Sequence, residues 1–288
     1  MSPTPRSSTE FEEHRQRLFG LAYRLLGSAA EAEDVVQDAY LRWRDASPDN
    51  PAAWLARVVT NLCLNRLTSA RVTRESYVGP WLPEPVQSAR LGPLETAEQR
   101  DSVSIALLVL LERLTPAERA VFVLREAFAY DYREIAEVLD LSEAHCRQLR
   151  GRARRRLGEP RRFDRPSPEH WREVVERFLK AASDGDLESL ERLLTRDVAA
   201  WADGGGKVVA ARRPIEGPAR LATWAAGTLA KFGVGYEYSF EEYNGRPAIV
   251  GRLDGRIAAV VAIDLDGDLI SRIWAVLNPA KLSHLREP

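Results

Sequence analysis

Hydrophobic side chains recur at three- and four-residue steps along residues 11–75, which is the periodicity of amphipathic helices. The pattern predicts a first helix that ends at Gly27, a second that Ser28 caps, and a third from Pro51 to about Thr68. Residues 1–75 are therefore predicted to form an all-α domain.

A proline-rich stretch then interrupts the helical pattern. Residues 79–85 are Gly-Pro-Trp-Leu-Pro-Glu-Pro, and residues 76–104 are predicted to be a linker. Helical periodicity returns after it, with breaks at Thr115-Pro116 and at Asp140-Leu141-Ser142. The pattern predicts a second helical domain over residues 105–160.

The period changes again beyond a short connector. Two helices, at 168–183 and 186–194, precede β-branched segments of alternating polarity, and turns such as Asn244-Gly245 and Asp266-Gly267 predict hairpins between them. The fold class is therefore multidomain, with two all-α domains followed by an α+β domain, residues 166–288, built on an antiparallel sheet. Its predicted strands are 197–202, 207–211, 234–243, 246–252, 256–264 and 269–277.

The composition is that of a globular chain, because 45% of the 288 residues are hydrophobic and 29% are charged. No apolar run reaches the roughly 18 residues that cross a bilayer, and the polar start lacks the apolar stretch of a signal peptide. These features predict a cytoplasmic protein without a membrane segment. Cys63 and Cys146 have no paired spacing, so both are predicted to be buried, and no metal site is expected.

Arginine is concentrated in one short segment. Residues 147–165 contain nine arginines against Glu159 and Asp164, a net charge of +7. The segment begins inside a layout of short helix, brief turn and capped second helix, residues 132–157, which predicts a helix-turn-helix. One face of the second helix is expected to contact DNA bases and phosphates; the alternative is a solvated basic face of an ordinary helical bundle. The residues of this face are Ala144, Arg147, Gln148, Gly151, Arg154 and Arg155.

Two segments of the first domain resemble a known family. Residues 32–43, Ala-Glu-Asp-Val-Val-Gln-Asp-Ala-Tyr-Leu-Arg-Trp, and residues 54–67, Trp-Leu-Ala-Arg-Val-Val-Thr-Asn-Leu-Cys-Leu-Asn-Arg-Leu, resemble region 2 of extracytoplasmic-function sigma factors. The helix-turn-helix resembles their region 4. The order of the motifs and the linker between them make the resemblance specific over residues 11–157. It implies binding to core RNA polymerase and to the −10 and −35 promoter elements, with the helix-turn-helix at −35.

The resemblance also implies a polymerase contact on the second helix. Asp34, Gln37 and Asp38 would grip the basic clamp helices of the polymerase β′ subunit. Their spacing places them on one helix face, where they form a polar patch suited to arginines. A merely solvated face is the alternative. The β subunit is a further expected partner, and the free chain is expected to be monomeric.

The third helix is implied to hold the unpaired strand of the −10 element. Aromatic and amide groups can receive bases that leave the stack. Trp54 could instead be a core residue, and Asn65 stands where the resemblance leads us to expect an aspartate. The implied −10 contacts are Trp54, Arg57, Asn61, Asn65 and Arg66.

The C-terminal domain resembles the SnoaL-like fold, a curved sheet that helices wrap into a cone, which polyketide cyclases and ketosteroid isomerases share. Its marks are the segments 201–207, 244–248 and 278–282. Together with Trp-Leu-Pro-Glu-Pro at 81–85, they are typical of sigma factors with this domain fused in cis.

Enzymatic activity in this domain would require a positioned base in an apolar pocket. His170 and His284 lie near the ends of the domain, which leaves Asp203 as the candidate acid. The three glycines that follow Asp203 favour a turn residue instead. We therefore expect no enzymatic activity and no cofactor.

The linker motif is expected to dock on the C-terminal domain. Trp81 lies on a stiff backbone set by prolines, and its expected receptor begins at Asp203, where glycines permit close approach and Lys207 could meet Glu84. The alternative is that Trp81 packs against its own helical block. The residues expected to make this regulatory contact are Trp81, Glu84, Asp203, Gly204, Gly205, Gly206 and Lys207.

Together these features predict an alternative sigma factor that directs RNA polymerase to specific promoters and whose C-terminal domain modulates its activity in cis. Two alternatives stay open. One is a bifunctional protein whose C-terminal domain binds or converts a small molecule. The other is a helix-turn-helix repressor with a ligand-binding domain, which would need no polymerase contact at Asp34, Gln37 and Asp38.

Overall fold

The chain folds as two compact units in a computed structural model that describes residues 8–91, 100–158 and 166–285. The first unit comprises residues 1–76 and 86–160, and the second comprises 77–85 and 161–288. A short piece of the predicted linker therefore belongs to the C-terminal unit. Two stretches of interest lie outside the described residues. One is the part of the linker from 92 to 99, and the other holds the last arginines of the basic segment, including Arg161 and Arg162.

Helices make up the first unit, as predicted. The third helix continues beyond its predicted end at Thr68. The α-helices are α1 (Ser8–Leu26), α2 (Ala29–Arg44), α3 (Pro51–Glu75), α4 (Ile105–Leu111), α5 (Pro116–Glu126), α6 (Tyr132–Leu139) and α7 (Glu143–Leu157), with a 3-10 turn at Ser88–Leu91.

Local signals set the helix ends. Gly27 has a φ of 70°, which ends α1, and the Ser28 hydroxyl accepts the Glu31 N–H at 3.2 Å to cap α2. Thr115 and Glu118 form a reciprocal capping box at the start of α5. These sequence predictions are confirmed.

The helix-turn-helix is confirmed as well. Asp140 ends α6 in the left-handed region, with a φ of 56°, and the Ser142 hydroxyl accepts the His145 N–H at 3.2 Å to begin α7. The turn is therefore only three residues long, from Asp140 to Ser142. Cys146 is buried under α7, and Cys63 is buried in α3.

Both predicted helical domains contribute to one continuous core in the first unit. Two buried arginines add polar links across it. Arg119 of α5 donates to the Leu25 carbonyl at 2.7 Å, and Arg24 of α1 donates to the Ser102 hydroxyl at 2.9 Å. Burial lowers the pKa of Arg24 to about 10.

The second unit packs helices against one six-stranded sheet. Its strand order is β2-β1-β6-β5-β4-β3. All neighbouring pairs are antiparallel except β1 and β6, so the sheet is mixed and the purely antiparallel prediction was wrong. The elements are α8 (Pro168–Asp184), α9 (Leu187–Arg192), β1 (Leu194–Asp203), β2 (Ile215–Glu216), α10 (Pro218–Phe232), β3 (Tyr236–Tyr243), β4 (Arg246–Leu253), β5 (Arg256–Asp266), β6 (Leu269–Val276) and α11 (Pro279–Leu282).

The strand predicted at 207–211 is also wrong. Those residues belong to a loop that starts at Gly204, where the chain turns with Gly205 and Gly206 at positive φ. The short β2 follows the loop. The hairpin turns at Asn244-Gly245 and Asp266-Gly267 are confirmed.

Helices α8 and α10 cover one face of the sheet with apolar side chains. The Trp171 indole N–H donates to the Ile263 carbonyl at 2.9 Å, and its ring meets Phe240 edge-on. The same core contains Phe178, Leu221, Ala222, Ala225, Ile249 and Ile273. These apolar side chains form the core of the second unit between the helices and the sheet.

Candidate polymerase, promoter and linker-docking sites

The polar patch on α2 is exposed as its spacing requires. Asp34 and Gln37 are exposed and Asp38 is half-buried, whereas Val35 and Val36 between them are fully buried. The apolar residues hold α2 on the core and turn the three polar side chains outward. The patch can accept hydrogen bonds from a cationic partner.

Arg66 of α3 pairs with two carboxylates of this patch. Its Nη2 lies 2.9 Å from Asp38 Oδ2 and its Nη1 lies 3.4 Å from Asp34 Oδ2. Nη1 also donates to the Glu31 carbonyl at 3.3 Å. In the structure the Arg66 side chain therefore lies against the polar patch of α2, and its role in binding the −10 element stays a prediction. The sequence signal was its position, seven residues after buried Val59 on the apolar face of α3.

The other predicted −10 residues divide into an exposed face and a core edge. Arg57, Asn61 and Asn65 lie at four-residue steps along α3 and are all exposed. Trp54 is half-buried and packs against the core, with its ring centroid 6.0 Å from that of Trp43. A rim position is compatible with both interpretations of Trp54, as a core residue and as a receiver of an extruded base.

The predicted −35 face of α7 is exposed along its whole length, from Ala144 to Arg155. Opposite it, Cys146, Leu149 and Ala153 are buried. The predicted face therefore consists of Ala144, Arg147, Gln148, Gly151, Arg154 and Arg155, all open to a partner.

The Arg147 side chain is preorganised in the protein without DNA. It pairs with Glu143 one turn earlier, at 2.6 Å, and its guanidinium carbon lies 5.0 Å from the ring centroid of Tyr132 in α6. A stacked and paired guanidinium has fewer rotamers to lose on binding.

Two arginines of the basic segment hold α7 to α5 instead. Arg150 pairs with Glu126 at 2.7 Å, and Arg156 pairs with buried Glu118 at 2.9 Å. Glu126 also lies 3.6 Å from Arg154. The net charge of the segment does not reveal these pairs, because the acidic partners of Arg150 and Arg156 lie more than 20 residues away in the chain.

Asp203 is the centre of the linker-docking site in the second unit. The side chain is fully buried. Its Oδ1 accepts the Tyr77 hydroxyl at 2.5 Å and the Gly205 N–H at 3.1 Å. Its Oδ2 accepts the Leu82 N–H at 2.8 Å and Lys281 Nζ at 2.7 Å. Asp203 is thus a turn residue that also anchors the segment 77–85.

Lys281 carries the cation of this site. It is buried, it donates to the Leu82 carbonyl, and its Nζ lies 4.1 Å from the ring centroid of Trp81. Lys207, which the sequence suggested as a partner for Glu84, is exposed. The lysine that reaches the linker segment is therefore Lys281.

Three contributors to this site were missed from the sequence: Tyr77, Asn278 and Lys281. Asn278 Nδ2 donates to the Tyr77 hydroxyl at 2.8 Å. Burial, together with the hydrogen bond to Asp203, raises the pKa of Tyr77. The signal was the segment Asn278-Pro-Ala-Lys-Leu282, which was noted as a mark of the fold without a role.

The glycines after Asp203 permit the close approach that the sequence suggested. A Cβ on Gly205 would lie 2.1 Å from Asn278 Nδ2 and 3.0 Å from the Tyr77 hydroxyl. A Cβ on Gly206 would lie 3.3 Å from the Val78 side chain. Any larger residue at Gly205 would therefore displace the segment or the asparagine.

Comparison with known proteins agrees with this division of the chain. The Sigma-70 region 2 family matches residues 11–73, and the Sigma-70 region 4 family matches residues 104–157. The ECF RNA polymerase sigma factor SigJ of Mycobacterium tuberculosis is 38% identical over 292 aligned residues, which cover 96% of this chain and 93% of that protein. The chain belongs to the extracytoplasmic-function RNA polymerase sigma factors.

Two further comparisons extend this assignment over both units of the sigma factor. The probable ECF RNA polymerase sigma factor SigI of Mycobacterium tuberculosis is 33% identical, and the alignment covers 97% of this chain and 96% of that protein. The crystal structure of Mycobacterium tuberculosis SigJ superposes with a TM-score of 0.75 at 35% identity, over 96% of this chain and 98% of that chain.

The family assignment sets the general function. The sigma-factor domains imply binding to RNA polymerase and to promoter DNA, and the family is not a known class of enzymes. The C-terminal unit, helices on a mixed sheet, falls within the part of the chain that the SigJ structure covers. Within the described residues, no helix combines the length and apolar character that a membrane span requires.

Proposed function

We propose that this sigma factor acts as a cytoplasmic monomer that joins core RNA polymerase through α2, reads the −10 element with α3 and the −35 element with α7, and is modulated in cis by its C-terminal unit. One observation carries the proposal. The acidic patch of α2 and the basic face of α7 are both exposed in one helical unit, held there by the same core.

The polymerase contact rests on charge and exposure. Asp34, Gln37 and Asp38 offer acceptor oxygens to the arginines of a basic partner, for which the β′ clamp helices are the proposed counterpart, with the β subunit as a second contact. Changing Asp34 and Asp38 to arginine should abolish co-purification with core polymerase and leave the melting temperature nearly unchanged. A folded double variant that still binds core polymerase with native affinity would contradict the assignment.

In vitro transcription with core polymerase tests the whole proposal. A sigma factor makes core polymerase initiate at its promoter, whereas a repressor does not. Promoter-dependent transcript from purified chain and core enzyme, lost in the Asp34 and Asp38 double variant, is the expected result. DNA binding without any transcript would favour the repressor.

A regulatory role for the C-terminal unit fits its interior better than catalysis does. Trp171 and Phe178 of α8 and Leu221 of α10 fill the space over the sheet, and Asp203 is occupied by Tyr77 and the linker backbone. The unit is built to hold a segment of its own chain. We therefore assign it no reaction and no cofactor.

A further inference from the structure

Arg66 is the basic group at the centre of an acidic helix face. Asp34 and Asp38 are one helical turn apart on α2, so their like charges disfavour a common orientation. Arg66 reaches across from α3 and contacts Oδ2 of both carboxylates, at 3.4 and 2.9 Å. One guanidinium thus holds two carboxylates that would otherwise turn apart.

The ion pairs of Arg66 with Asp34 and Asp38, called the Arg66 bridge below, leave both carboxylates accessible to a further partner. Arg66 engages only Oδ2 of each carboxylate, and 66% of the Asp34 side chain and 45% of the Asp38 side chain remain exposed. Each carboxylate has several acceptor positions, so a second cation can bind while Arg66 stays in place.

The position of Arg66 also removes it from the DNA-facing side of α3. Arg57, Asn61 and Asn65 form one line along that helix, and Arg66 follows Asn65 by about 100° around the helix axis. Its guanidinium donates to Asp34, Asp38 and the Glu31 carbonyl, all on α2.

We propose that Arg66 is a positioning residue for polymerase binding, which fixes Asp34 and Asp38 in the orientation that a basic helix of the polymerase requires. The proposal rests on the assignment of the α2 patch to polymerase. Preorganised side chains lose less conformational entropy on binding, so removal of Arg66 should weaken association without removing any direct contact.

The test measures the affinity of the full-length protein for purified core RNA polymerase by fluorescence anisotropy. Arg66→Gln should raise Kd by about five-fold to ten-fold, the effect expected when two side chains must be ordered on binding. Arg66→Lys should give an intermediate Kd, because an ammonium lacks the planar fork that bridges two carboxylates. In an Asp38→Asn background, Arg66→Gln should add less than about two-fold, since the bridge is already broken.

Arg192→Gln is the matched control. It removes an exposed arginine from an ion pair with Glu188 at 3.1 Å, outside both helical domains. Its Kd for core polymerase should equal that of the native chain. Because Arg66 is partly covered, melting temperatures accompany every measurement, and Arg66→Lys keeps the charge if Arg66→Gln proves unstable.

Either of two results would overturn the inference: native polymerase affinity in a folded Arg66 variant, or effects of Arg66→Gln and Asp38→Asn that simply add. If a variant with native polymerase affinity also loses binding to forked −10 DNA in saturated holoenzyme, Arg66 contacts the DNA instead. In either case, loss of polymerase binding in the Asp34 and Asp38 double variant would still support the proposed function. Native polymerase binding by that double variant would contradict both the proposed function and the inference about Arg66.

Discussion

Acidic neighbours decide what each arginine of this chain does. Arg150 and Arg156 pair with Glu126 and Glu118 and hold α7 in place, whereas Arg155 lies on the exposed face that is predicted to bind DNA. Net charge alone therefore overstates the DNA-binding surface. The carboxylates of α5 set how much of the positive charge reaches a phosphate.

Glu126 is the residue at which this can be tested. Glu126→Gln should release Arg154 and loosen Arg150, and should raise holoenzyme affinity for DNA of unrelated sequence about two-fold to three-fold. The salt dependence should steepen by up to about one phosphate contact. Titrations at several salt concentrations measure both. Glu188→Gln, which breaks a similar exposed pair elsewhere, should change neither, and equal effects in both variants would refute the argument.

Lys281 and Asp203 form a buried ion pair whose rupture should be costly. Lys281→Met leaves a fully buried carboxylate without its cation, so we expect a loss of about 3 to 5 kcal/mol in the free energy of unfolding. Urea unfolding followed by tryptophan fluorescence measures it. Adding Asp203→Asn should recover part of the loss. Lys207→Met, which removes an exposed lysine, is the control. Equal destabilisation by both lysine substitutions would contradict an anchoring role of the Lys281–Asp203 pair for the segment 77–85.

Among the elements, α7 is the one whose side chains should separate specificity from affinity. Arg147 is preorganised by Glu143 and Tyr132 and points out of the exposed face. Arg147→Ala should relax base preference at one or two positions of the −35 element, by about 1 to 3 kcal/mol per lost bidentate contact. Holoenzyme binding to a set of single-base promoter variants measures this. A uniform loss across all variants would instead assign Arg147 to phosphate.

Elements with strong local signals were predictable, and those that depend on distant partners were not. Ser28, Thr115 and Ser142 mark helix starts because a cap is a contact within three residues. Helix α10 was missed although Gly217 precedes it, Pro218 is its first residue, and Leu221, Ala222 and Ala225 form its buried stripe.

The sequences of β1 and β6 do not reveal that the two strands pair in parallel. Alternating polarity predicts a strand but does not identify its neighbour, and β1 lies about 70 residues from β6 in the chain, as the pair of Ala200 with Ile273 shows. Lys281 was missed for the same reason, because its partner Asp203 is 78 residues away. The candidate sites on single helices were therefore easier to predict than the linker-docking site.

At the scale of the whole molecule, the segment 77–85 links the two halves of the promoter-binding machinery in sequence and belongs to the C-terminal unit in structure. Under the proposed function, a change in how tightly the C-terminal unit holds this segment would alter the chain between the helices proposed to bind the −10 and −35 elements. Covalent attachment keeps the effective concentration of the docking surface high, so individually weak contacts suffice.

Deletion of residues 166–288 should consequently change promoter output, and Trp81→Ala in the full-length protein should shift it in the same direction. Trp81 covers the Lys281 ammonium at 4.1 Å, so its loss should weaken docking of the segment within the C-terminal unit. Transcription from a cognate promoter with purified components measures all variants.

Gly205→Ala should weaken docking of the segment 77–85 independently, because the added Cβ would collide with Asn278 and crowd Tyr77. The backbone φ of 58° also disfavours alanine at this position. The substitution should reproduce the shift caused by Trp81→Ala. Gly227→Ala, in helix α10 with no atom within 4 Å of the added Cβ, is the matched control and should leave output unchanged. If the truncation alters output while Trp81→Ala and Gly205→Ala do not, the C-terminal unit acts through another surface, and the docked segment only stabilises the fold.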